Sequence, residues 1–154
     1  MTTNIRGSDN FDTALYPPDV SPNAWHIALG STTAFTVTDS TLTFDTVVHK
    51  GGNLTLDGGK ITVSVAGMYL ISFAGSRYQT TDDVWDWSIG LNSGEIANTR
   101  AYVAGNNAGN YDSTSITVPV QLAAGDVVFI QGKGYCYGTP SNGMTFFTGV
   151  RLGV

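Results

Sequence analysis

The sequence has 154 residues, a length that fits one domain with a hydrophobic core. Charged residues make up 12% of the chain, about half the usual share of roughly 25%, and the formal net charge is -5. This acidic balance, without any Lys/Arg cluster, argues against a nucleic-acid partner. The single cysteine, Cys136, excludes an intrachain disulfide and a cysteine-based metal site.

The chain shows no targeting or membrane signal. Residues 1–6 lack the apolar segment of a secretory signal, and no apolar run approaches the roughly 18 residues of a membrane span. We therefore expect synthesis in a cytoplasm and no membrane partner. Thr, Ser and Asn fill most polar positions beside 19 glycines, a composition that is common in virion proteins assembled in the host cytoplasm.

Residues 1–23 differ from the rest and are predicted to form an extended N-terminal arm. Three of the five prolines fall within residues 17–22, which favours a polyproline-type conformation over a helix or a paired strand. A disordered tail is the alternative. The candidate partner-binding residues of the arm are Ile5, Phe11, Leu15, Tyr16, Pro17 and Pro18.

From residue 24 the sequence predicts short β-strands. Trp25, Ile27 and Leu29 alternate with smaller or more polar residues, which is the period of a strand with one buried face. Further short strands are predicted at residues 35–37 and 42–48.

A strand pair at residues 60–65 and 68–74 is predicted around a hinge at Ala66-Gly67. The odd positions of both strands are large and apolar, but in the second strand Met68 and Leu70 make the even face apolar as well. One apolar face is enough for the core of an antiparallel sandwich, so we expect the second face to pack against another copy of the chain. The residues assigned to the core or trimer interface are Met68, Tyr69, Leu70, Ile71, Phe73 and Phe147.

Later strands are predicted at residues 84–91 and 96–103 around a turn, and at 116–122 and 127–131 around a second turn. Pro119 lies within the predicted strand at residues 116–122 and predicts an edge strand or bulge there. We expect Asp126, in the second turn, to bind backbone amides.

The final strand is predicted to bury one face and expose the other. The face predicted to be buried carries Phe146, Val150, Leu152 and Val154. About ten short strands with regular turns and no helical period predict a β-sandwich or barrel.

Four motifs follow one another in a specific order. They are Gly-Gly-Lys-Ile-Thr-Val-Ser-Val-Ala-Gly-Met-Tyr at 58–69, Ile-Gly-Leu-Asn-Ser-Gly at 89–94, Val-Gln-Leu-Ala-Ala-Gly-Asp-Val-Val at 120–128 and Phe-Thr-Gly-Val-Arg-Leu at 147–152. Their order resembles the C1q-like branch of the C1q/TNF jelly-roll family.

The resemblance covers roughly residues 35–154 and implies a ten-stranded jelly-roll β-sandwich that forms a compact homotrimer around a threefold axis. We divide the chain into the arm, 1–23, and a jelly-roll domain, 24–154. Ser64 and Ile61 stand where the family pattern has Pro and Phe. No collagen-like Gly-X-Y segment precedes the matched region, which argues against a complement-like or adipokine-like role.

No catalytic constellation is visible, so we expect neither enzyme activity nor a cofactor. His26 and His49 lie apart in sequence, and neither is near a nucleophile motif. We expect a structural role for His26, and a solvated or interface position for His49. Cys136 would need a basic neighbour such as Lys133 to become reactive.

One acidic cluster is a weak candidate for Ca²⁺, which the resemblance also implies for some family members. It consists of Asp82, Asp83 and Asp86. The alternative is a solvated loop followed by a strand end.

Tyrosines and an asparagine mark two Gly-rich segments as candidate binding loops, because these residue types are common in adaptable recognition surfaces. The candidates are Tyr102, Asn106, Tyr111, Tyr135 and Tyr137. Alternatively, the tyrosines cap the ends of the sandwich or line the threefold axis.

From these observations we expect a non-enzymatic trimeric virion protein of a bacteriophage, a capsid decoration or cement protein. Its arm would lie across the major capsid protein or another virion component. The alternative is the receptor-binding head of a tail fibre or spike, which would bind host glycan or protein through the tyrosine loops. The short chain, without a fibre-forming shaft, favours decoration. A cellular C1q-like ligand module is a third hypothesis.

Overall fold

The computed structural model describes residues 22–31, 33–78, 85–103, 111–138 and 144–153. These residues form eleven β-strands. The strands are β1 (Ala24–Ala28), β2 (Thr33–Thr41), β3 (Thr46–Lys50), β4 (Leu54–Asp57), β5 (Lys60–Val63), β6 (Gly67–Tyr78), β7 (Trp85–Leu91), β8 (Gly94–Val103), β9 (Tyr111–Leu122), β10 (Val127–Cys136) and β11 (Phe146–Leu152). Across these ranges no helix has the length and apolar character needed to cross a bilayer.

The strands form two sheets that face each other across one core. The five-stranded sheet has the order β3-β1-β11-β6-β9, and the six-stranded sheet has the order β4-β5-β10-β7-β8 with β2 also paired to β10. The predicted all-β jelly-roll sandwich is confirmed. The described residues contain eleven strands where the resemblance implies ten, and two of them, β2 and β5, pair with different parts of β10. Val127 and Val128 pair with β5, and the stretch from Gln131 to Cys136 pairs with β2.

Alternate residues of β6 fill the centre of the core. Tyr69, Ile71 and Phe73 are fully buried, as their odd positions predict. Phe73 stacks on Trp85 of the opposite sheet, with 6.0 Å between ring centroids and 12° between planes. Aromatic contacts of this kind join the two sheets at the middle of the sandwich.

The last strand, β11, buries the opposite face from the one predicted. Phe147 and Gly149 point into the core, because a Cβ on Gly149 would lie only 2.1 Å from the ring of buried Trp25. Because Gly149 has no side chain, the Trp25 ring fits against it, and this face of β11 can turn toward the core. The outward face carries half-buried Phe146 and exposed Val150 and Leu152, and Val154 lies outside the described residues.

Two hairpin turns are joined side by side by Asn92 and Asp126. The Asn92 Nδ2 donates to Asp126 Oδ1 at 2.9 Å, and the backbone N–H of Val127 donates to Asn92 Oδ1 at 3.0 Å. The backbone N–H of Ala123 donates to Asp126 Oδ2 at 2.8 Å, as the turn assignment of Asp126 predicts. Asn92 has a φ of 56°, a left-handed conformation that asparagine tolerates. These contacts bring the second and third sequence motifs together.

Adding a methyl group at Gly149 should destabilise the protein. In Gly149→Ala the new Cβ would collide with Trp25, which is 2% exposed and packs against Phe147 at 5.4 Å between ring centroids. Overpacking of this kind costs about 1–3 kcal/mol. Urea unfolding at matched protein concentration measures the loss.

Gly94→Ala is the matched control, because no atom lies within 4 Å of a Cβ built at that exposed position. Its free energy of unfolding should stay within about 0.5 kcal/mol of the parent value. Equal losses in the two variants would contradict the packing role of Gly149.

The hydrogen bonds from Asn92 and Ala123 hold the pKa of the Asp126 carboxyl below its ordinary value. Because the folded-state pKa is the lower one, this stabilisation is present at neutral pH and is lost as pH falls through the folded-state pKa. Asn92→Gly suits the left-handed backbone and removes one donor, so the NMR titration midpoint of Asp126 should rise. Ser93→Ala, in the same turn, should leave the midpoint unchanged. An unchanged midpoint in Asn92→Gly would contradict the assigned cause.

Candidate interaction surface

The outer face of the five-stranded sheet carries a contiguous apolar patch at its centre. In the register of β6 and β11, Met68 lies opposite Leu152 and Leu70 lies opposite Val150. Met68, Leu70, Val150 and Leu152 are 39%, 38%, 37% and 45% exposed, and we call these four residues the outer patch. Pro119 of β9 lies beside Leu70 and extends the patch toward the sheet edge. Contiguous exposed apolar residues of this kind mark interaction surfaces.

The six residues assigned by sequence to the core or interface separate into two sets. Only Met68 and Leu70 reach the outer face. The set that is fully buried between the sheets consists of Tyr69, Ile71, Phe73 and Phe147. Sequence reasoning assigned Val150 and Leu152 to the core, because their face of β11 carries more large apolar residues than the face of Gly149 and Arg151.

A row of hydroxyl groups borders the outer patch. Ser72 Oγ and Thr117 Oγ1 are 2.8 Å apart in a hydrogen bond, and Thr148 Oγ1 donates to the Ser72 carbonyl oxygen at 3.4 Å. Buried polar groups need partners, and these hydroxyls already bond within the sheet. The face can therefore be covered without leaving them unpaired.

Two histidines occupy the β3 side of the same face. His26 of β1 lies opposite Thr148 on one side and opposite His49 of β3 on the other. His26 is half-buried with its ring 5.6 Å from the Phe146 ring, whereas His49 is exposed. Burial, and secondarily the proximity of His49, lower the pKa of His26. The structure thus pairs two residues that the sequence separates.

Tyr102 lies in β8, which the sequence predicted as a strand at residues 96–103, and Tyr111 begins β9, so these two tyrosines flank residues 104–110. The correction applies to the second candidate loop, because Tyr135 lies within β10 and Tyr137 immediately after it. Asn106 lies outside the described residues. Tyr102 and Tyr135 are 59% and 41% exposed, and Tyr137 is half-buried.

The glycines near Tyr135 explain why this segment resembles a loop in sequence. A Cβ on Gly132 would lie 2.0 Å from the carbonyl oxygen of Asp86 on the neighbouring strand. The pairing of β10 with β2 also shifts register between Gly132 and Gly134. Here glycine permits close approach of two strands at an irregularity, and the backbone remains paired.

The acidic residues near β7 do not gather into a described metal site. Asp82 and Asp83 lie outside the described residues. Asp86 forms an ion pair with Arg100, whose Nε is 3.3 Å from Asp86 Oδ1, and Arg100 also contacts Glu95 at 3.1 Å. In the part of the chain with assigned positions, no group of three or more His, Cys, Asp or Glu residues is placed to hold a metal ion.

Cys136 is buried at the end of β10 and does not lie in a loop. Burial raises the pKa of its thiol well above the usual range. The thiol is therefore neutral at physiological pH and is unsuited to act as a nucleophile.

The chain enters the sandwich at one end, and the exposed tyrosines lie toward the other. The carbonyl oxygen of Asn23, just before β1, accepts from the Arg151 N–H at 3.2 Å, beside the Met68 end of β6. The Tyr137 N–H donates to the Ser76 carbonyl oxygen at 2.7 Å. Met68 and Ser76 are separated along β6 by about 27 Å at the usual strand rise.

Comparisons with known proteins agree with this architecture. A sequence profile described as C1q domain matches residues 24–151. No curated protein matches the sequence.

Solved structures with similar folds include APRIL, Eiger TNF and a globular domain of a complement protein. Murine APRIL at pH 8.0 has a TM-score of 0.64 and 16% identity, covering 84% of this chain and 98% of its own. The globular domain of zebrafish complement 1qA has a TM-score of 0.61 and 16% identity, with coverages of 85% and 98%. Eiger TNF from S. frugiperda has a TM-score of 0.64 and 15% identity, with coverages of 85% and 92%. At these identities the likeness establishes the fold.

Proposed function

The chain belongs to the C1q domain family, and from that premise we propose that it is a homotrimeric binding module without catalytic activity. Domains of the C1q/TNF type typically form homotrimers and are generally ligand-binding proteins. The buried, neutral thiol of Cys136 and the pairing of Asp86 with Arg100 agree with a binding role.

The outer patch is the observation that carries the trimer proposal. Its four residues lie on β6 and β11, which both have a neighbour on each side, so the patch occupies the middle of the sheet. Burying the still exposed part of one such side chain would stabilise the trimer by about 1 kcal/mol, since full burial of a large apolar side chain contributes roughly 1.5–3 kcal/mol. Threefold closure covers the patch of every copy without leaving an open end. Obligate interfaces bury more than about 2,000 Å² in total. The four residues of the outer patch are too few to supply this area, so the interface must also cover the hydroxyl row.

A carboxylate in the outer patch should prevent assembly. Leu70→Asp places a charge opposite Val150, where covering it would require costly desolvation. Sedimentation velocity should show a trimer for the parent chain and a monomer for Leu70→Asp, with unchanged far-ultraviolet circular dichroism.

The matched control is Tyr102→Asp. It also places an aspartate at a large exposed side chain of a strand, but that strand belongs to the six-stranded sheet. This variant should remain trimeric. A parent chain that sediments as a monomer would refute the trimer, and dissociation of both variants would refute the location of the interface.

We further propose that the trimer is a bacteriophage virion protein that decorates and stabilises the capsid shell. The low charged fraction of 12% and a single free, buried cysteine fit a protein that assembles in a host cytoplasm without disulfides. In a threefold assembly, all copies of Asn23 would lie at one end of the trimer. Residues 1–21 precede this point and carry the apolar and proline residues that we assign to binding the major capsid protein or another virion component.

The second candidate is a receptor-binding head, and the exposure of Tyr102 and Tyr135 favours it. Both rings lie away from the entry point of the chain, so a trimer anchored at the Asn23 end would present them outward. Exposed tyrosines contribute large contact area with little loss of conformational freedom, on either glycan or protein.

Deleting residues 2–21 separates the two candidates. The deletion keeps Pro22 and Asn23, whose carbonyl oxygens accept from Asn53 and Arg151. If the decoration proposal holds, the shortened chain should sediment as a trimer but no longer co-sediment with purified capsid shells that lack the protein.

The double variant Tyr102→Ala, Tyr135→Ala is the control for this experiment and should bind the shells as the parent does. Shell binding by the shortened chain would contradict decoration through the arm. Binding to host cells that survives the deletion but is lost in the double tyrosine variant would establish the receptor-binding alternative.

A further inference from the structure

The only two histidines of the chain face each other across a pair of antiparallel strands. His26 lies on β1 and His49 on edge strand β3, and the register pairs them directly beside a shift that leaves Val48 of β3 without a partner in β1. Directly opposed residues project from the same face of a sheet, with Cβ atoms about 5 Å apart. Two imidazoles are therefore brought together on the outer face of the five-stranded sheet.

This spacing suits chelation of one metal ion. Imidazole nitrogens bind Zn²⁺ at about 2.0–2.1 Å, so two ligand nitrogens around one ion need to approach within a few ångström. Rotation of two side chains whose Cβ atoms lie about 5 Å apart permits this approach. Imidazole is a preferred ligand for Zn²⁺, Ni²⁺ and Cu²⁺, with affinity generally increasing from Ni²⁺ to Cu²⁺.

The surroundings leave the imidazoles available as ligands. His49 is exposed and His26 is half-buried, and imidazole binds metal in its neutral form. The neighbouring cation Lys50 lies opposite Trp25 in the register, and its Nζ donates to the Leu54 carbonyl oxygen at 2.8 Å. The ammonium group is thus held away from the imidazole pair.

The two histidines contribute differently to such a site. His26 is half-buried against the Phe146 ring, which restricts its orientation, whereas His49 is exposed on a strand with only one neighbour. Water can complete the coordination shell from the open side of β3. An ion held by both residues would also join the edge strand to β1.

We propose that His26 and His49 form a two-imidazole site for a divalent transition-metal ion of the Zn²⁺, Ni²⁺ or Cu²⁺ class. Both ligands come from one chain, so the site needs no residue of a second copy and does not depend on the virion role. Binding cross-links β3 to β1 and slows the opening of that edge.

Isothermal titration of the untagged full chain with NiCl₂, repeated with ZnCl₂, tests the proposal. We expect one ion per chain, and a loss of affinity of more than about tenfold in both His26→Asn and His49→Asn, because each removes a direct ligand. Thr148→Val, next to His26 in the register, is the control and should bind as the parent does. His49→Asn changes an exposed side chain and keeps the test informative even if His26→Asn is poorly folded.

Amide hydrogen exchange distinguishes chelation from attachment to one histidine. With saturating Ni²⁺, exchange of the β3 amides should slow by more than about threefold in the parent chain and not in His49→Asn, since only a two-strand chelate restrains the edge. Undiminished affinity in either single variant would overturn the proposal. So would one ion per three chains, no binding of either metal, or unchanged β3 exchange at saturation.

Discussion

The pairing of β6 with β11 is the constraint on which the rest of the structure depends. Large apolar residues occupy both faces of β6, and in β11 they lie mainly on the face of Phe146, Val150 and Leu152, but a two-sheet sandwich can bury only one face of each strand. Gly149 decides which face of β11 turns inward, because its missing side chain makes room for Trp25. Val150 and Leu152 must then point outward, where they meet Leu70 and Met68. Core packing thus creates the surface that a second copy would cover.

The motifs that carry the family resemblance fix turns and contacts between strands. Asn92 and Asp126 belong to different motifs, yet their side chains hydrogen-bond to each other and to the backbone of the turns they hold. At Gly59 in the first motif, a Cβ would lie 2.2 Å from the Leu42 carbonyl oxygen, and φ is 83°. Residues of this kind fix turns and strand contacts. They identify the fold, while a binding partner must be recognised by other side chains.

The fold and half of the proposed interface could be predicted from the sequence, and the failures have definite causes. Period-two alternation in β6 identified its inner residues and left Met68 and Leu70 for a second contact. The inner face of β11 was predicted wrongly, because the outward face carries more large apolar residues than the inner one, and the deciding contact, Gly149 with Trp25, spans 124 residues. Gly132 resembled a loop residue because composition does not distinguish a flexible glycine from one that permits close strand approach. The pairing of His26 with His49 required the register of β1 and β3.

The surfaces of the sandwich differ in how tightly the core constrains them. The outer patch alternates with fully buried residues on the same strands, so a shift in β6 or β11 would move both sets together. Tyr102 and Tyr135 are exposed toward the far end of the sandwich and do not belong to its buried core. Their side chains can therefore change with less effect on the fold than changes in β6 or β11. Under the proposed function, this separation would let the contacts of the exposed tyrosines change while the sheet face proposed for assembly stays the same.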